Sequence, residues 1–167
     1  MAILEILQYP DPRLHLPAAR VEKIDAAVRN LVSDMVETMY GADGVGLAAT
    51  QVNVHQQVIV MDVSADKSDL RVFINPEIIR REGLALNQEG CLSVPGVYDN
   101  VERAESVTVT ALDETGSRFT LNASGLLATC IQHEMDHLQG RVFVEHLSEL
   151  KQNRIRAKLK KRQRKAA

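Results

Sequence analysis

Apolar residues recur at helical spacing in two long stretches of the chain, residues 24–40 and 125–138. In the first stretch they repeat every three or four positions, and Asp25 stands at the start, where it can cap a helix. In the second they surround two histidines, so that helix is predicted to be largely buried. A third helix, from about Ser148 onward, has only a thin apolar stripe, and we expect it to project from the body.

Shorter apolar runs between these helices predict antiparallel strands. The clearest runs are 57–63, 70–75, 101–103, 106–112 and 118–122. Residues 78–83 and 84–88 suggest a hairpin that turns near Glu82 and Gly83. Residues 89–96 contain two glycines and one proline, so they are predicted to form a sharply bent loop, and residues 97–100 continue it as a variable stretch.

Length and composition indicate one compact domain without disulfide bonds. The 167 residues are 45% hydrophobic and 25% charged, as in ordinary globular proteins. The charge is uneven, because residues 151–167 hold nine basic residues and no acidic one, whereas residues 1–150 hold 11 basic and 22 acidic residues. We therefore expect an acidic body, residues 1–150, with a basic C-terminal helix or tail, residues 151–167.

The N-terminal residues have neither a basic region nor a long apolar run, which predicts no secretory signal. No apolar run approaches the ~20 residues that span a bilayer. A cytoplasmic, reducing location is therefore expected, where Cys91 and Cys130 would serve as core residues, metal ligands or nucleophiles.

Residues 133–137 read His-Glu-x-x-His, the pattern that holds a catalytic metal ion on a helix. Residues four apart share one helical face, so His133 and His137 can bind the same ion. Glu134 can then move the proton of a water that the metal makes acidic. Metal-assisted hydrolysis is the chemistry that this pattern favours.

A catalytic site of this kind needs a third protein ligand. His146 lies downstream, past the glycine that ends the helix. Cys130 shares the histidine face but would have to reach from one turn further back, which favours a place in the core or the pocket wall. Cys91 lies in the glycine-rich bend, where the backbone can place a thiolate freely. The spacing alone leaves this choice open.

The stretch Val45–Val52 is apolar, built of small residues and flanked by glycine, with one amide side chain at Gln51. It suits a tight turn into a buried strand. It also suits close approach of the backbone to a ligand, with the Gln51 amide as a hydrogen-bond donor.

Three segments, in this order along the chain, resemble the signature motifs of the peptide deformylase family. They are Gly44–Gln51 (GVGLAATQ), Glu89–Ser93 (EGCLS) and Gln132–His137 (QHEMDH). Pro10–Leu14 (PDPRL) is also similar to the start of that family. The resemblance implies an α+β fold, with antiparallel sheets packed around a central metal-binding helix, an N-terminal helix and a C-terminal helix outside.

The resemblance also implies an enzyme that removes the N-formyl group from the formyl-methionine of nascent bacterial polypeptides and releases formate. The implied metal is Fe²⁺, with Zn²⁺, Ni²⁺ or Co²⁺ possible in the same site. The implied residues are the metal ligands Cys91, His133 and His137, the general acid/base Glu134, and the oxyanion donors Gln51 and Leu92, the latter through its backbone N–H. The implied substrate-binding residues are Gly44, Val45, Gly46, Gly90, Leu126 and Cys130.

The basic tail suits a ribosomal partner, since rRNA phosphates attract Lys and Arg; neither DNA nor a membrane is expected as a partner. Two other functions remain to be weighed at this point. One is a zinc endopeptidase with His146 as its third ligand. The other is a non-catalytic ribosome- or RNA-binding module with a structural metal site, which would not require Glu134 or Gln51.

Overall fold

The computed structural model describes residues 2–166, and its first long element is helix α1, Ala26–Gly41. The Asp25 carboxylate caps it by accepting a hydrogen bond from the backbone N–H of Val28, as the sequence predicts. Met35 and Met39 on its apolar face are fully buried. This face packs against the first two strands and covers one part of the core.

Seven strands and two further helices follow α1 within residues 2–166. They are β1 (Gly46–Ala48), β2 (Val58–Met61), β3 (Arg71–Glu82), β4 (Ala85–Cys91), β5 (Val94–Arg103), β6 (Ser106–Leu112), β7 (Arg118–Ser124), α2 (Gly125–Leu138) and α3 (Glu149–Ala166). Five strands form an antiparallel sheet in the order β1-β2-β3-β6-β7, and β4 pairs with β5 in a second sheet. Helix α2 packs against β1, β2, β6 and β7, so the predicted α+β fold around a central helix is confirmed.

Strand β3 is continuous where the sequence predicts two separate strands. Pro76 lies between the two predicted runs, but the pair Asn75 and Pro76 belongs to β3, at the register shift between Ile74 and Glu77. The buried Asn75 side chain accepts from the N–H of Val21 and donates to its carbonyl oxygen, both at 2.8 Å. A bulge tolerates proline and a positive φ, and the side-chain bonds hold the kink in place.

The hairpin predicted near Glu82 and Gly83 is wrong. Gly83 does turn the chain, but Glu82 pairs with Ser106 on β6, whereas Ala85 pairs with Arg103 on β5. The two strands therefore part into different sheets. A turn signal reports only a change of direction, and the partners that decide the pairing lie about 20 residues away.

Residues 89–100 also differ from the predicted bent loop and variable stretch. The bend is confined to a tight turn in which Cys91 faces Val94, and residues on both sides belong to β4 and β5. Val94, Val97 and Val101 on β5 are buried. The glycines and the proline mark the turn and its margins, and the segment around them is an antiparallel hairpin whose register shifts between Glu89 and Cys91.

Helix α3 is docked on the body along part of its length, where the sequence predicts that it projects. Ile155 and Leu159 are buried in a cluster with β5 and the N-terminal arm. Arg156 donates to the hydroxyl of Tyr9 at 3.0 Å, and Lys158 donates to the carbonyl oxygen of Gly96 at 3.1 Å. The burial of Ile155 and Leu159 and these two hydrogen bonds hold this part of α3 on the body.

Within residues 2–166, no helix is both long enough and apolar enough to cross a membrane. The predicted domain bounds, 1–150 and 151–167, include residues 1 and 167, which lie outside the described residues.

Candidate metal centre and its cleft

Helix α2 presents both motif histidines on one buried face. Ser124 precedes the helix, and Gly125, with φ of 61°, makes the turn from β7 into it. His133 and His137 lie one turn apart, so their rings meet edge to face with centroids 5.0 Å apart. His133 also stacks on Phe143, with ring centroids 6.0 Å apart. Packing therefore fixes the orientation of both rings.

The turn between β4 and β5 brings Cys91 to the histidines. Its Sγ lies 3.3 Å from Nε2 of His137. One potential ligand atom from each of Cys91, His133 and His137 lies within 4.8 Å of the others. In the part of the chain that the structure describes, this is the one group of three or more His, Cys, Asp or Glu side chains close enough to share an ion.

The two other candidates for the third ligand lie elsewhere. His146 has its Nε2 2.8 Å from Oδ2 of Asp136, outside the cluster. Cys130 is buried one turn before His133, with its Sγ 3.9 Å from the carbonyl oxygen of Val45. Burial raises the pKa of the Cys130 thiol well above its usual range. A protonated, buried thiol suits a pocket wall, as the sequence predicts.

The donor set fits a divalent metal ion. Nδ1 of His137 has no hydrogen-bond partner among the described residues, and burial lowers its pKa well below the usual range, so the ring stays neutral. Burial alone would also lower the pKa of His133, but Glu134, Cys91 and Glu89 outweigh it and raise that pKa well above its usual range. The surroundings of His133 thus favour a positive charge. Imidazole and thiolate donors suit Fe²⁺, Zn²⁺, Ni²⁺ and related ions.

A buried ion pair behind the cluster holds His133 in place. Oε1 of Glu89 lies 2.8 Å from Nδ1 of His133, which leaves Nε2 of that ring toward the cluster. Arg103 donates two hydrogen bonds to Glu89, at 2.7 and 2.9 Å, and a third to Asp136 at 2.7 Å. Burial opposes ionisation of Glu89, but the hydrogen bonds from Arg103 and His133 lower its pKa to about 2. Carboxylates in this position orient metal-binding histidines.

The contact of Glu89 with His133 and that of Arg103 with Glu89 were not predicted from the sequence. Glu89 stands inside the second motif, and that was the available signal. Its partners lie 14 and 44 residues further along the chain, and only the folded hairpin and helix bring them together.

Glu134 places a second buried carboxyl beside the cluster. Its Oε1 has no hydrogen-bond partner among the described residues. Burial raises the pKa of Glu134 to about 7. A Cβ on Gly46 would lie 2.5 Å from Oε2 of Glu134 and 2.8 Å from Sγ of Cys130. Only glycine at position 46 allows the backbone to come this close to the Glu134 carboxyl and the Cys130 thiol.

The Gln51 amide is held with its nitrogen toward the cluster. Its Oε1 accepts a hydrogen bond from the N–H of Ala48 at 2.9 Å. Its Nε2 donates to Oγ of Ser93 at 3.0 Å and to Sγ of Cys91 at 3.5 Å. The short helical turn at Ala49–Val52 therefore brings an amide donor to the cluster of Cys91, His133 and His137.

A cavity of about 520 Å³ opens in front of the cluster. Ten predicted site residues line it, namely Val45, Gly46, Gln51, Gly90, Cys91, Leu92, Leu126, Cys130, His133 and Glu134. Gly44 lies behind this wall, where a Cβ would come 2.5 Å from the Leu92 side chain. His137, the third residue of the cluster, is fully buried and does not line the cavity. Tyr98, which the sequence analysis assigned no role, also lines the cavity.

Comparison with known proteins agrees with this geometry. The family model for polypeptide deformylase matches residues 3–153. A peptide deformylase of Neisseria gonorrhoeae is 63% identical over 163 residues, 98% of each chain. Peptide deformylase 1 of Burkholderia multivorans is 63% identical over 165 residues, which cover 98% of this chain and 91% of that protein.

Solved structures agree as well. The crystal structure of a peptide deformylase from Legionella pneumophila superposes with a TM-score of 0.94 at 50% identity, covering 98% of this chain and 96% of that one.

Proposed function

The chain belongs to the peptide deformylase family, and we propose a role for each residue of the cleft in the reaction of that family. The protein is a metal-dependent hydrolase that removes the N-formyl group from the N-terminal formyl-methionine of nascent polypeptides and releases formate. The convergence of Cys91, His133 and His137 beside the buried Glu134 carboxyl is the observation that carries the proposed roles.

Cys91, His133 and His137 hold the metal, which we assign as Fe²⁺, with Zn²⁺, Ni²⁺ or Co²⁺ able to take its place. When bound, such an ion makes water acidic and polarises a carbonyl group. Glu89 and Arg103 support this assignment, because they fix His133 with Nε2 free to bind. A single thiolate with two imidazoles is a donor set that several of these ions accept.

Glu134 is the general acid/base. Its pKa of about 7 lets the carboxyl take up a proton and release it near neutral pH. Oε1 has no hydrogen-bond partner within residues 2–166 and is the atom available to hold that proton. The carboxylate removes a proton from the attacking water and then gives it to the departing amine nitrogen.

The Gln51 amide and the backbone N–H of Leu92 stabilise the negative charge that develops on the formyl oxygen. Neither group titrates, so both stay donors throughout the reaction. The hydrogen bond from Ala48 supports this role, since it fixes which end of the Gln51 amide faces Cys91. Donors positioned in advance stabilise an oxyanion without reorganisation.

The methionine side chain lies along the apolar part of the cavity. Its wall is formed or backed by residues adjacent to the three motifs, namely Gly44, Val45, Gly46, Gly90, Leu126 and Cys130. Gly46 brings the backbone close to Glu134, which leaves a narrow space at the reacting end. A formyl group carries only hydrogen beyond its carbonyl carbon, so a narrow site admits it and excludes larger acyl groups.

Formate release from formyl-methionyl peptides by anaerobically purified protein tests these roles, with metal content measured in the same samples. We expect turnover in proportion to bound Fe²⁺. Cleavage of internal peptide bonds with no formate release would instead support a zinc endopeptidase. The separation of His146 from the cluster favours the deformylase.

Helix α3 binds ribosomal RNA in this proposal. Ile155 and Leu159 hold the helix on the body, while eight basic residues on it are exposed. Those residues are Lys151, Arg154, Lys158, Lys160, Lys161, Arg162, Arg164 and Lys165. Such a surface attracts phosphates, and the attraction weakens as salt increases. Nascent formyl-methionyl chains are made on bacterial ribosomes, so we also assign the protein to the bacterial cytoplasm.

Charge reversal tests this better than deletion of α3, which would remove Ile155 and Leu159 and expose the apolar residues that they cover. The triple variant Lys160→Glu, Lys161→Glu and Arg164→Glu should lose ribosome affinity and its salt dependence. Lys23→Glu, Arg81→Glu and Arg118→Glu is the matched control, with the same charge change at exposed sites on the body. Equal ribosome affinity of the two triple variants at low salt would refute the role of α3.

A further inference from the structure

His146 lies outside the metal cluster, yet a continuous series of hydrogen bonds connects it to one residue of that cluster. Its Nε2 lies 2.8 Å from Oδ2 of Asp136. The same oxygen accepts a hydrogen bond from Nη1 of Arg103 at 2.7 Å. Arg103 in turn donates twice to the Glu89 carboxylate, whose Oε1 lies 2.8 Å from Nδ1 of His133. His146 is therefore the outermost group of this series.

Exposure to solvent increases from the inner to the outer end of the series. The side chains of Arg103 and Glu89 are each 4% exposed. That of Asp136 is 18% exposed and that of His146 is 36% exposed, so water competes for the Asp136 carboxylate. A carboxylate only accepts hydrogen bonds, so Nε2 of His146 carries the hydrogen. This second donor on Oδ2 helps to keep the Asp136 carboxylate turned toward Arg103.

The segment that carries His146 is held firmly against the metal site. His146 ends the short helical turn Phe143–His146. The residues on both sides of Phe143 are fully buried, and the Phe143 ring stacks on His133. One turn of the chain thus reaches His133 twice, directly through Phe143 and indirectly through His146.

The charges along the series show in which direction His146 acts. Two carboxylates, Glu89 and Asp136, share the single guanidinium group of Arg103. Asp136 offsets part of the positive charge of Arg103, so less of that charge is left to neutralise Glu89. A more negative Glu89 makes the His133 imidazole a stronger electron donor. Loss of the bond between Asp136 and Arg103 would therefore weaken His133 as a metal ligand.

We propose that His146 is a positioning residue for the metal site and acts on His133 through Asp136, Arg103 and Glu89. This inference rests on the metal ligands assigned under the proposed function. Removal of a group bonded directly to a metal-binding histidine usually lowers metal affinity by about 10–100-fold. His146 is separated from Glu89 by three hydrogen bonds. We therefore expect a smaller effect, about threefold to tenfold.

The test uses two substitutions that separate the hydrogen bond of His146 from its ring. His146→Phe keeps a ring and removes the donor, so the apparent Kd of the metal-free protein for Co²⁺ should rise about threefold to tenfold. Competition with a chelator measures this Kd. His146→Gln keeps an N–H donor at a similar reach and should restore the wild-type value.

His55→Phe is the matched control. The His55 ring also makes a hydrogen bond near the surface, with its Nε2 3.0 Å from the carbonyl oxygen of Arg13. Neither His55 nor Arg13 lines the cavity or belongs to the metal cluster. The Kd for Co²⁺ should therefore stay the same in this variant.

A double-mutant cycle tests the route through Asp136. Asp136→Ala breaks the series next to His146, so His146→Phe should have no further effect on the Kd for Co²⁺ in that variant. Full additivity of the two changes would show that His146 does not act through Asp136, and it would overturn the proposal.

Kinetics separate a positioning role from a general loss of structure. His146 does not line the cavity, so the KM for formyl-Met-Ala-Ser should be equal in wild type and His146→Phe. At a Co²⁺ concentration near the wild-type Kd, kcat should fall in proportion to bound metal. A rise in KM of the same size as the loss in metal affinity would indicate a distorted site and would overturn the proposal.

The metal measurements also distinguish this proposal from the proposed function on which it rests. An unchanged Kd for Co²⁺ in His146→Phe, or an equal rise in His146→Phe and His146→Gln, refutes only the role of His146. Absence of Co²⁺ binding by the wild-type protein refutes the assigned metal ligands, and the role of His146 with them.

Discussion

Helix α2 and the β4–β5 hairpin meet at one cleft, and each contributes a buried glutamate, with the two pKa values shifted in opposite directions. Glu134 on the helix is 4% exposed and Glu89 on the hairpin is 5% exposed, so they are buried equally. The pKa of Glu134 is raised to about 7, whereas that of Glu89 is lowered to about 2. The difference lies in the partners: Arg103 and the His133 ring bond to the Glu89 carboxylate, whereas Oε1 of Glu134 has no hydrogen-bond partner among the described residues.

This contrast shows that partners rather than depth decide what a buried carboxyl can do. Glu89 is a fixed negative charge that orients a ligand and exchanges no proton near neutral pH. Glu134 lacks such partners and can gain and lose a proton there. Two carboxyl groups in one cleft thus differ in whether they exchange a proton near neutral pH.

The largest effect is expected from replacing Cys91, the proposed metal ligand on the β4–β5 hairpin. Cys91→Ser replaces a thiolate by a hydroxyl that stays protonated, so metal affinity and turnover should fall by more than about 100-fold. Metal content after gel filtration measures this. Cys130→Ser is the control, and it should retain its metal. Equal metal content in the two variants would show that Cys91 is not a ligand.

The helix carboxyl is tested by Glu134→Gln, which keeps the shape and removes the exchangeable proton. We expect kcat to fall by about 10²–10⁴-fold while bound metal stays the same. Kinetics and metal analysis on the same preparation check this. A kcat within tenfold of wild type would remove Glu134 from the role of general acid/base.

The hairpin carboxylate should matter for stability more than for chemistry. Glu89→Gln leaves the buried Arg103 without its doubly bonded partner, and we expect a loss of about 3–5 kcal/mol in the free energy of unfolding. Urea denaturation measures it, with Glu102→Gln as the control because Glu102 is exposed on the neighbouring strand. A loss no greater than that of the control would contradict the importance of this ion pair.

The smallest expected effect is on the pH dependence of the free energy of unfolding of the metal-free protein. The folded-state pKa of Glu89 is lower than its unfolded value. Glu89 therefore stabilises the fold above about pH 5, and this stabilisation is lost as pH falls toward 2. The folded-state pKa of Glu134 is higher than its unfolded value, so stability declines as pH rises from about 4.5 to 7.

The two substitutions should therefore flatten different parts of the stability profile. Glu89→Gln should flatten the acidic part below about pH 5, and Glu134→Gln should flatten the part between about pH 4.5 and 7. Urea midpoints across that range measure both. Identical profiles for the two variants would refute the contrast between the carboxyls.

The sequence predicted the elements that depend on neighbours in the chain. The predicted bounds of α2 match the structure, and α1 is capped by Asp25 as expected, because helical periodicity and caps are local. The pairing of β3 and β4 was not predictable in this way. Gly83 signals a turn, but whether the flanking strands pair depends on β5 and β6, which compete for them.

The sequence by itself determined the two histidines and Glu134 on one helix, since spacing of one and four residues is a property of the helix itself. The motifs also pointed to Cys91 and Gln51. Only the tertiary structure decided which distant group completes the cluster, because the hairpin turn brings Cys91 to His137 and leaves His146 outside. It also decided that Glu89 is ionised and Glu134 is not fixed in either state, since a pKa depends on partners that the fold brings together.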